Sequence, residues 1–193
     1  MKPTQIILGG TMAEPIIIVP YDERWKEEFH KIGSLLRKTL GSLAIRIDHI
    51  GSTAIEGLDA KPIIDIQISV ESHEPMSYKP LMESIGYLYR NDNSDKTKRY
   101  FREFAEMKRT HIHIRERGSW SEQFTLLFRD FLREHEEYCR LYAEEKYILM
   151  NRYKQAQVRH LYVEGKDPII WKIMYEASRW SQRVGWKPGK TDI

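Results

Sequence analysis

Two short segments in the first half of the chain carry side chains suited to chemistry on a phosphate compound. Residues 49–53 read His-Ile-Gly-Ser-Thr, and residues 61–68 read Lys-Pro-Ile-Ile-Asp-Ile-Gln-Ile. A Gly-Ser pair after a strand permits a tight turn whose N–H groups and hydroxyl can contact a phosphate. Asp65, set between isoleucines, is expected on a neighbouring strand, where a carboxylate can hold Mg²⁺ beside that phosphate. The pattern predicts metal-assisted phosphoryl chemistry with Asp65 as its catalytic residue.

The residues expected to bind phosphate lie in the turn and in a later basic segment. Each also has a simpler interpretation: a strand-end turn, a helix cap in Thr53-x-x-Glu56, or a solvated strand edge. A helix N-terminus can cap itself and bind an anion at once, and arginine matches phosphate oxygens bidentately. The predicted phosphate-binding residues are Gly51, Ser52, Thr53, Lys61, Arg99 and Arg102.

A second hypothesis concerns the metal. His111 and His113 are two apart, so on a strand they share a face, and together with Asp65 they form a set suited to Mn²⁺, Fe²⁺ or Zn²⁺. The alternative is a pair of exposed strand-face histidines. His49 either joins this set or is a core histidine, and Gln67 is either a neutral ligand or a polar face residue. The predicted metal ligands are Asp65, His111, His113 and Gln67.

Hydrophobic periodicity predicts the elements that position these residues. A helix is expected from Asp22 to Leu40, carrying Trp25 and Phe29 on one face and ending at Gly41. Alternation predicts strands over 43–50 and 63–70, with Asp65 and Gln67 opposite an isoleucine face. Further elements are predicted over 75–86 (helix), 98–104 and 110–115 (strands), and 16–19 forms a short β-prone run.

Beyond about residue 121 the pattern becomes helical, with stripes of Phe, Tyr, Leu and Ile that indicate core. The fold class predicted is α+β: a small mixed β-sheet with flanking helices and a helical C-terminal third. The expected division is a lead-in at 1–15, an α/β core at 16–118, a helical segment packed on it at 119–183, and a tail at 184–193. The polar residues after Trp180 are expected to fray.

The amino-acid composition limits which cellular location and which classes of binding partner are expected. The 193 residues are 41% hydrophobic and carry a formal charge of +3, which does not favour nucleic acid as a partner. Positive charge is concentrated at 95–117, a segment that contains eight basic and four acidic residues. Cys139 stands alone, which excludes an intramolecular disulfide and a thiolate metal cluster. The absence of a signal-peptide pattern and of a long apolar run predicts a cytoplasmic protein without a membrane span.

The block His-Ile-Gly-Ser-Thr-Ala-Ile-x-Gly-Leu-x-Ala-Lys-Pro-Ile-Ile-Asp-Ile at 49–66 resembles the GrpB family, also called UPF0157. The resemblance extends over roughly 16–180, through Tyr100-Phe101-Arg102, His111-Ile112-His113 and Phe128–Arg133. It implies the nucleotidyltransferase (polymerase-beta-like) fold, with a divalent metal, Mg²⁺ or Mn²⁺, and Zn²⁺ as a further alternative. Active members of that superfamily carry a second acid two residues after the first. Here that position is Gln67, and the later strand offers His111 and His113 in place of a third acid, with Glu103 as an alternative.

Three functions follow from the resemblance and the residues. The first is a metal-dependent nucleotidyltransferase-like protein acting on a nucleoside triphosphate and an acceptor that the sequence does not identify. The second is a binding module that keeps the pocket without the chemistry and retains a nucleotide or a coenzyme A-type phosphate compound. This alternative is implied by the family's occurrence as a domain fused to dephospho-coenzyme A kinase. The third, an RNA-associated protein using the 95–117 segment, is the least favoured.

Overall fold

The fold is described from a computed structural model, which defines residues 16–153 and 159–193. The predicted lead-in at 1–15 lies outside the described residues. The helices are α1 (Arg24–Leu40), α2 (Tyr78–Ser84), α3 (Trp120–Glu134), α4 (Glu136–Arg152), α5 (Arg159–Glu164) and α6 (Asp167–Val184). The strands are β1 (Arg46–Ile50), β2 (Ile64–Val70), β3 (Tyr87–Tyr89), β4 (Arg99–Glu103) and β5 (Thr110–Glu116), and 3₁₀ turns occupy Gly41–Leu43 and Ser52–Ala54.

The five strands form one mixed sheet in the order β1-β2-β5-β4-β3. Only the central pair, β2 and β5, is parallel; the other neighbours are antiparallel. Parallel pairing of β2 and β5 requires a crossover, and α2, β3 and β4 lie within it. The predicted α+β class is confirmed: a mixed sheet of nucleotidyltransferase type with flanking helices and a helical C-terminal third.

Alternation along β2 sends two sets of side chains to opposite faces. Ile64, Ile66 and Ile68 are fully buried and pack against the apolar face of α1, which contributes Trp25 and Phe29. This face forms the main core, as the period-two pattern predicts. The other face carries the polar residues, and a polar face can be buried only where its groups find partners.

The C-terminal helices cover this polar face. The amide of Gln67 donates through Nε2 to the carbonyl oxygen of Glu122 at 3.4 Å, and the Ser69 hydroxyl donates to the Glu122 carboxylate. Deeper in the helical segment, Phe131 on α3 packs with Ile173 and Ala177 on α6 in a second core cluster. Helix α3 is thereby held across the sheet, and the polar strand face becomes an interior surface.

Two features differ from the sequence expectations. Strand β3 was not predicted, because three residues are too few to show alternation. The C-terminal residues do not fray: α6 continues to Val184, and residues 189–193 lie along the outer edge of β1. Ile47 donates its N–H to Thr191 Oγ1 at 2.9 Å, and the N–H of Ile193 donates to the carbonyl of Ile47 at 3.2 Å.

Pro80 lies inside α2 without breaking it. The helix begins at Tyr78, so Pro80 falls in the first turn, where its missing N–H has no helical acceptor to lose. Within the described residues, no helix has the length and apolar character needed to cross a bilayer.

Candidate functional site

The turn after β1 touches the carboxylate on β2. Gly51 has φ +71° and ψ −174°, a conformation that residues with a Cβ rarely adopt. A Cβ built on Gly51 would lie 2.6 Å from Asp65 Oδ2, well inside van der Waals distance. Glycine is therefore required twice, by the backbone and by the close approach, and the structure brings Gly51, Ser52 and Asp65 to one place.

Asp65 lies against two histidines from the neighbouring strand. In the parallel β2–β5 register Asp65 pairs with His111, and Gln67 pairs with His113, so these side chains share one face. Asp65 Oδ1 is 3.1 Å from His111 Nδ1 and 3.6 Å from His113 Nε2. The three candidate ligand atoms all lie within 4.8 Å of one another. The predicted Asp-His-His set therefore converges in space.

The protonation states of this trio suit a cation. Burial alone would raise the pKa of Asp65, but hydrogen bonds from His111 and His113 outweigh it and hold that pKa well below its usual value. Burial lowers the pKa of His113 to about 4, against the opposing effect of Asp65. At neutral pH the site thus offers an ionised carboxylate and a neutral imidazole, the forms that bind metals.

Helices α4 and α5 supply the opposite wall of the cleft, which has a volume of about 330 Å³. It is lined by the 51–53 turn, the Asp-His-His trio and a group of lysines and tyrosines from the helical segment. Lys61 lies with its Nζ 5.3 Å from the centroid of the Tyr162 ring, and Lys166 is at the same distance from that ring. Four residues that line the cleft were not among the predicted site residues: Tyr142, Lys146, Tyr162 and Lys166.

Lys146 is the least expected member of the cleft, since its side chain is only 3% exposed. Its Nζ donates to Ser52 Oγ at 3.2 Å and to the carbonyl oxygen of Asp59. Burial, together with the positive charge of Lys166, lowers the pKa of Lys146 to about 7. The sequence pattern does not single out Lys146, although it falls four residues after Tyr142, on the same helical face as a tyrosine assigned to the core.

Thr53 and His49 have structural partners. Thr53 Oγ1 donates to the carbonyl of Ile63 at 3.1 Å and lies 3.0 Å from His49 Nε2. His49 pairs with Ile66 on the isoleucine face and stacks on Phe29, with ring centroids 4.6 Å apart. Of the two interpretations left open for His49, the structure supports the core histidine, because its side chain lies on the isoleucine face, opposite to Asp65. Burial lowers the pKa of His49 to about 3.

Gln67 lies two residues after Asp65 on β2, and its side chain is on the same face of the sheet. It is fully buried, and its Oε1 has no hydrogen-bond partner within the described residues. An amide carbonyl left unpaired in the interior is costly, so this oxygen is available to a ligand or a water. Whether it reaches a metal remains a prediction.

The basic residues predicted for phosphate binding are separated by the sheet. Arg102 pairs with His111 across β4 and β5, so its side chain leaves the strand on the site face; its Nη2 lies 3.0 Å from Oε1 of the adjacent Glu103. Arg99 pairs with Ile114 on the core face and forms an ion pair with Glu74 at 3.2 Å. Strand parity therefore places Arg102 on the face of the trio and Arg99 on the opposite face, and neither is among the residues that line the cleft.

Glu103 does not replace the absent third acid. It has the same parity as Phe101 along β4, so its side chain leaves the sheet on the core face. It forms ion pairs at 3.0 Å with Arg102 and Arg109, and its Oε2 accepts the N–H of Thr110.

A larger hollow, about 430 Å³, lies on the α1 side of the 52–54 turn and includes Phe29, His49 and Arg133. Its polar groups already serve the fold: Arg133 Nε donates to the carbonyl of Ala54, and Asp192 accepts from the N–H of His49. The trio on β2 and β5 lies outside it. We therefore assign the candidate site to the smaller cleft.

The mixed sheet, the glycine turn beside a strand carboxylate and the covering helical segment fit the nucleotidyltransferase-like fold that the sequence resemblance implies. The family model described as "GrpB protein" matches residues 15–176, and the chain belongs to the GrpB family. The crystal structure of the conserved protein GrpB from Enterococcus faecalis is similar with a TM-score of 0.76 and 30% identity. That match covers 86% of this chain and 99% of the other.

Two curated relatives are similar to most of this chain, and each is longer than it. It is 34% identical over 167 residues to the UPF0157 protein PA4798 of Pseudomonas aeruginosa, covering 84% of this chain and 67% of that protein. It is 30% identical over 204 residues to a dephospho-CoA kinase of Mycobacterium tuberculosis, covering 90% of this chain and 49% of that protein. The chain thus spans about half the length of the kinase.

Proposed function

We propose that the cleft binds one divalent metal ion together with a nucleotide or a related phosphorylated small molecule. The observation that carries this proposal is the convergence of Asp65, His111 and His113 beside the Gly51 turn. Ligand atoms about 2.1 Å from a common ion stand roughly 3 to 3.5 Å apart, by the bond lengths and angles of such sites. The Asp65 contacts at 3.1 and 3.6 Å are already close to that spacing.

The donor set favours a transition metal over Mg²⁺. Two imidazole nitrogens and one carboxylate suit Mn²⁺, Fe²⁺ or Zn²⁺, whereas Mg²⁺ prefers oxygen ligands and keeps several waters. The remaining ring nitrogens, His111 Nε2 and His113 Nδ1, are buried and lack hydrogen-bond partners in the described part of the chain. Tyr100 packs against both rings, and Asp65 contacts His111 Nδ1 and His113 Nε2, so these two nitrogens already lie where a metal would bind.

The phosphate-binding side of the cleft is basic. Lys61, Lys146 and Lys166 line the same space as Ser52 and the turn. A polyphosphate bound by the metal at one end can contact these ammonium groups at the other, since each is a point charge suited to phosphate oxygens. The likeness to a dephospho-CoA kinase supports a coenzyme A-type compound alongside nucleoside triphosphates as candidates.

Nucleotidyl transfer to an acceptor is the second candidate, and the observation that favours it is the position of Asp65 next to the glycine turn. Gln67 counts against it, because a neutral amide in place of a second carboxylate contributes no charge to the stabilisation of a second metal. RNA binding receives less support, since Lys108 and Arg117 of the basic segment form ion pairs with Glu28 and Glu71.

Calorimetric titration with Mn²⁺, Zn²⁺ and Mg²⁺, alone and with ATP or coenzyme A, tests binding, and a pyrophosphate-release assay then tests transfer. Asp65→Asn keeps the shape and removes the charge, so we expect metal affinity to fall about 10- to 100-fold or more. The matched control is Asp92→Asn, at a carboxylate that is 69% exposed on a loop. Metal binding that is absent in the natural sequence, or unchanged in Asp65→Asn, would refute the site.

A further inference from the structure

Lys146 is buried in the cleft, and its hydrogen-bond partners there carry no negative charge. Within the described residues its Nζ donates to two neutral acceptors, Ser52 Oγ and the carbonyl of Asp59, and it lies 4.8 Å from the centroid of the Tyr142 ring. A buried ammonium group is normally paired with a carboxylate or a bound anion. Here the side chain of Asp59 accepts instead from Tyr147, at 2.7 Å.

The charges around Lys146 are mostly of the same sign. Lys61 and Lys166 line the same cleft and act against protonation, whereas Asp59 favours it. From the sheet side the cleft contains Asp65, His111 and His113, and Tyr142 lines it from α4. The ionised Asp65 is held by its own histidines, so it does not compensate the lysines.

We propose that Lys146, with Ser52, forms an anion subsite in which ligand binding is coupled to the uptake of one proton. This inference rests on the proposed function and adds the means by which the cleft recognises the anionic end of its ligand. The anion supplies the charge that the buried amine lacks, so the protonated amine is stabilised only in the complex. Ser52 donates its hydroxyl to the same anion, and both groups lie next to the Gly51 turn and Asp65.

The coupling has a defined sign and size. Without a ligand, the pKa of Lys146 is about 7, so the amine is largely neutral in mildly alkaline solution. An adjacent anion raises this pKa, and the complex then holds one proton more than the free protein. Affinity for an anion should therefore fall about tenfold for each pH unit above 7, until the pKa of the complex is reached. Below that window the affinity should be constant.

Sulfate is a suitable probe, because it stays a dianion throughout this range and any proton uptake must come from the protein. Binding is followed by backbone amide NMR shifts in the full chain, with chloride as the ionic-strength reference. We expect the shifts to cluster at the 51–53 turn and around Lys146, and the affinity to show the tenfold dependence. Lys146→Met, which keeps the stem without the amine, should abolish it, and Lys79→Met on α2 should leave it unchanged.

Each outcome either supports the subsite or rejects it. Lys146→Arg carries a permanent charge, so it should bind sulfate with an affinity that no longer changes with pH. Sulfate binding that is independent of pH in the natural sequence, or that survives in Lys146→Met, would overturn the inference. Loss of metal binding would refute the proposed function instead, and because sulfate is titrated without metal the two failures can be distinguished.

Discussion

Replacement of Gly51 by alanine is the sharpest test of the link between the turn and the carboxylate. The new Cβ would meet Asp65 Oδ2 at 2.6 Å and Asp65 Cβ at 3.0 Å, so either the turn or the aspartate must move. The backbone conformation, φ +71° and ψ −174°, is one that only glycine adopts freely. The steric contact acts directly on Asp65, the residue that contacts both histidines.

The size of the effect follows from these two contributions. Backbone strain in this region costs about 1–3 kcal/mol, and overpacking a filled site costs about 1–3 kcal/mol more. Gly57→Ala is the matched control, because Gly57 has φ +75° but a Cβ there would meet nothing within 4 Å. It should lose only the strain, about 1–2 kcal/mol.

The assay is urea unfolding of both variants, combined with titration by Mn²⁺ or Zn²⁺. We expect Gly51→Ala to lose about 1–3 kcal/mol more than the control, and to lose metal affinity because the Asp65–His111 contact at 3.1 Å is displaced. Gly57→Ala should bind metal normally. Equal stability losses in the two variants, with metal affinity preserved in Gly51→Ala, would show that the turn and the carboxylate are independent.

Three further predictions concern the interior. Arg129→Met should lower the free energy of unfolding, measured in urea, by about 3–5 kcal/mol. Arg129 is 3% exposed, and its removal takes away a positive charge that balances the buried carboxylate of Asp48. Arg140→Met, at an exposed arginine, is the control and should change stability little. Burial lowers the pKa of His49 to about 3, so below about pH 6.5 the unfolded state binds more protons than the folded one. Stability should then fall by up to about 1.4 kcal/mol per pH unit as pH decreases from 6.5 towards 3, and His49→Gln should flatten that slope in unfolding curves. Burial raises the pKa of Cys139 to about 11, so mass spectrometry should find this thiol unmodified by iodoacetamide in native protein and alkylated in urea; alkylation at equal rates would contradict its burial.

Local sequence patterns were sufficient for most of the sheet and for α1. The alternation through 63–70 placed Asp65 and Gln67 opposite the isoleucine face, and the spacing of His111 and His113 placed both on one side of β5. These are period-two inferences, and they hold because β2 has a fully apolar face and β5 carries the buried Ile112 and Ile114 on the same side.

The positions of several side chains at the site could not be predicted from the sequence, because they depend on contacts between elements far apart in the chain. Tyr142 and Lys146 lie on a helix whose register against the sheet is set by packing between α3, α4 and α6, and no local pattern encodes that. Arg99 and Arg102 were treated alike, although strand parity sends them to opposite faces, and the register with β5 was needed to tell which. The orientation of His49 became clear only from its stacking on Phe29.

The segment that closes the outer edge of β1 has a consequence for how the chain acquires its structure. The hydrogen bond from the Ile47 N–H to Thr191 joins residues 144 positions apart. Contacts of such long range form late, because a large loop must close before they contribute. During synthesis β1 can pair with β2 while its other edge still presents open N–H and C=O groups, and such edges invite pairing with a second chain. The interval before residue 191 arrives is therefore when this protein is most exposed to misassembly.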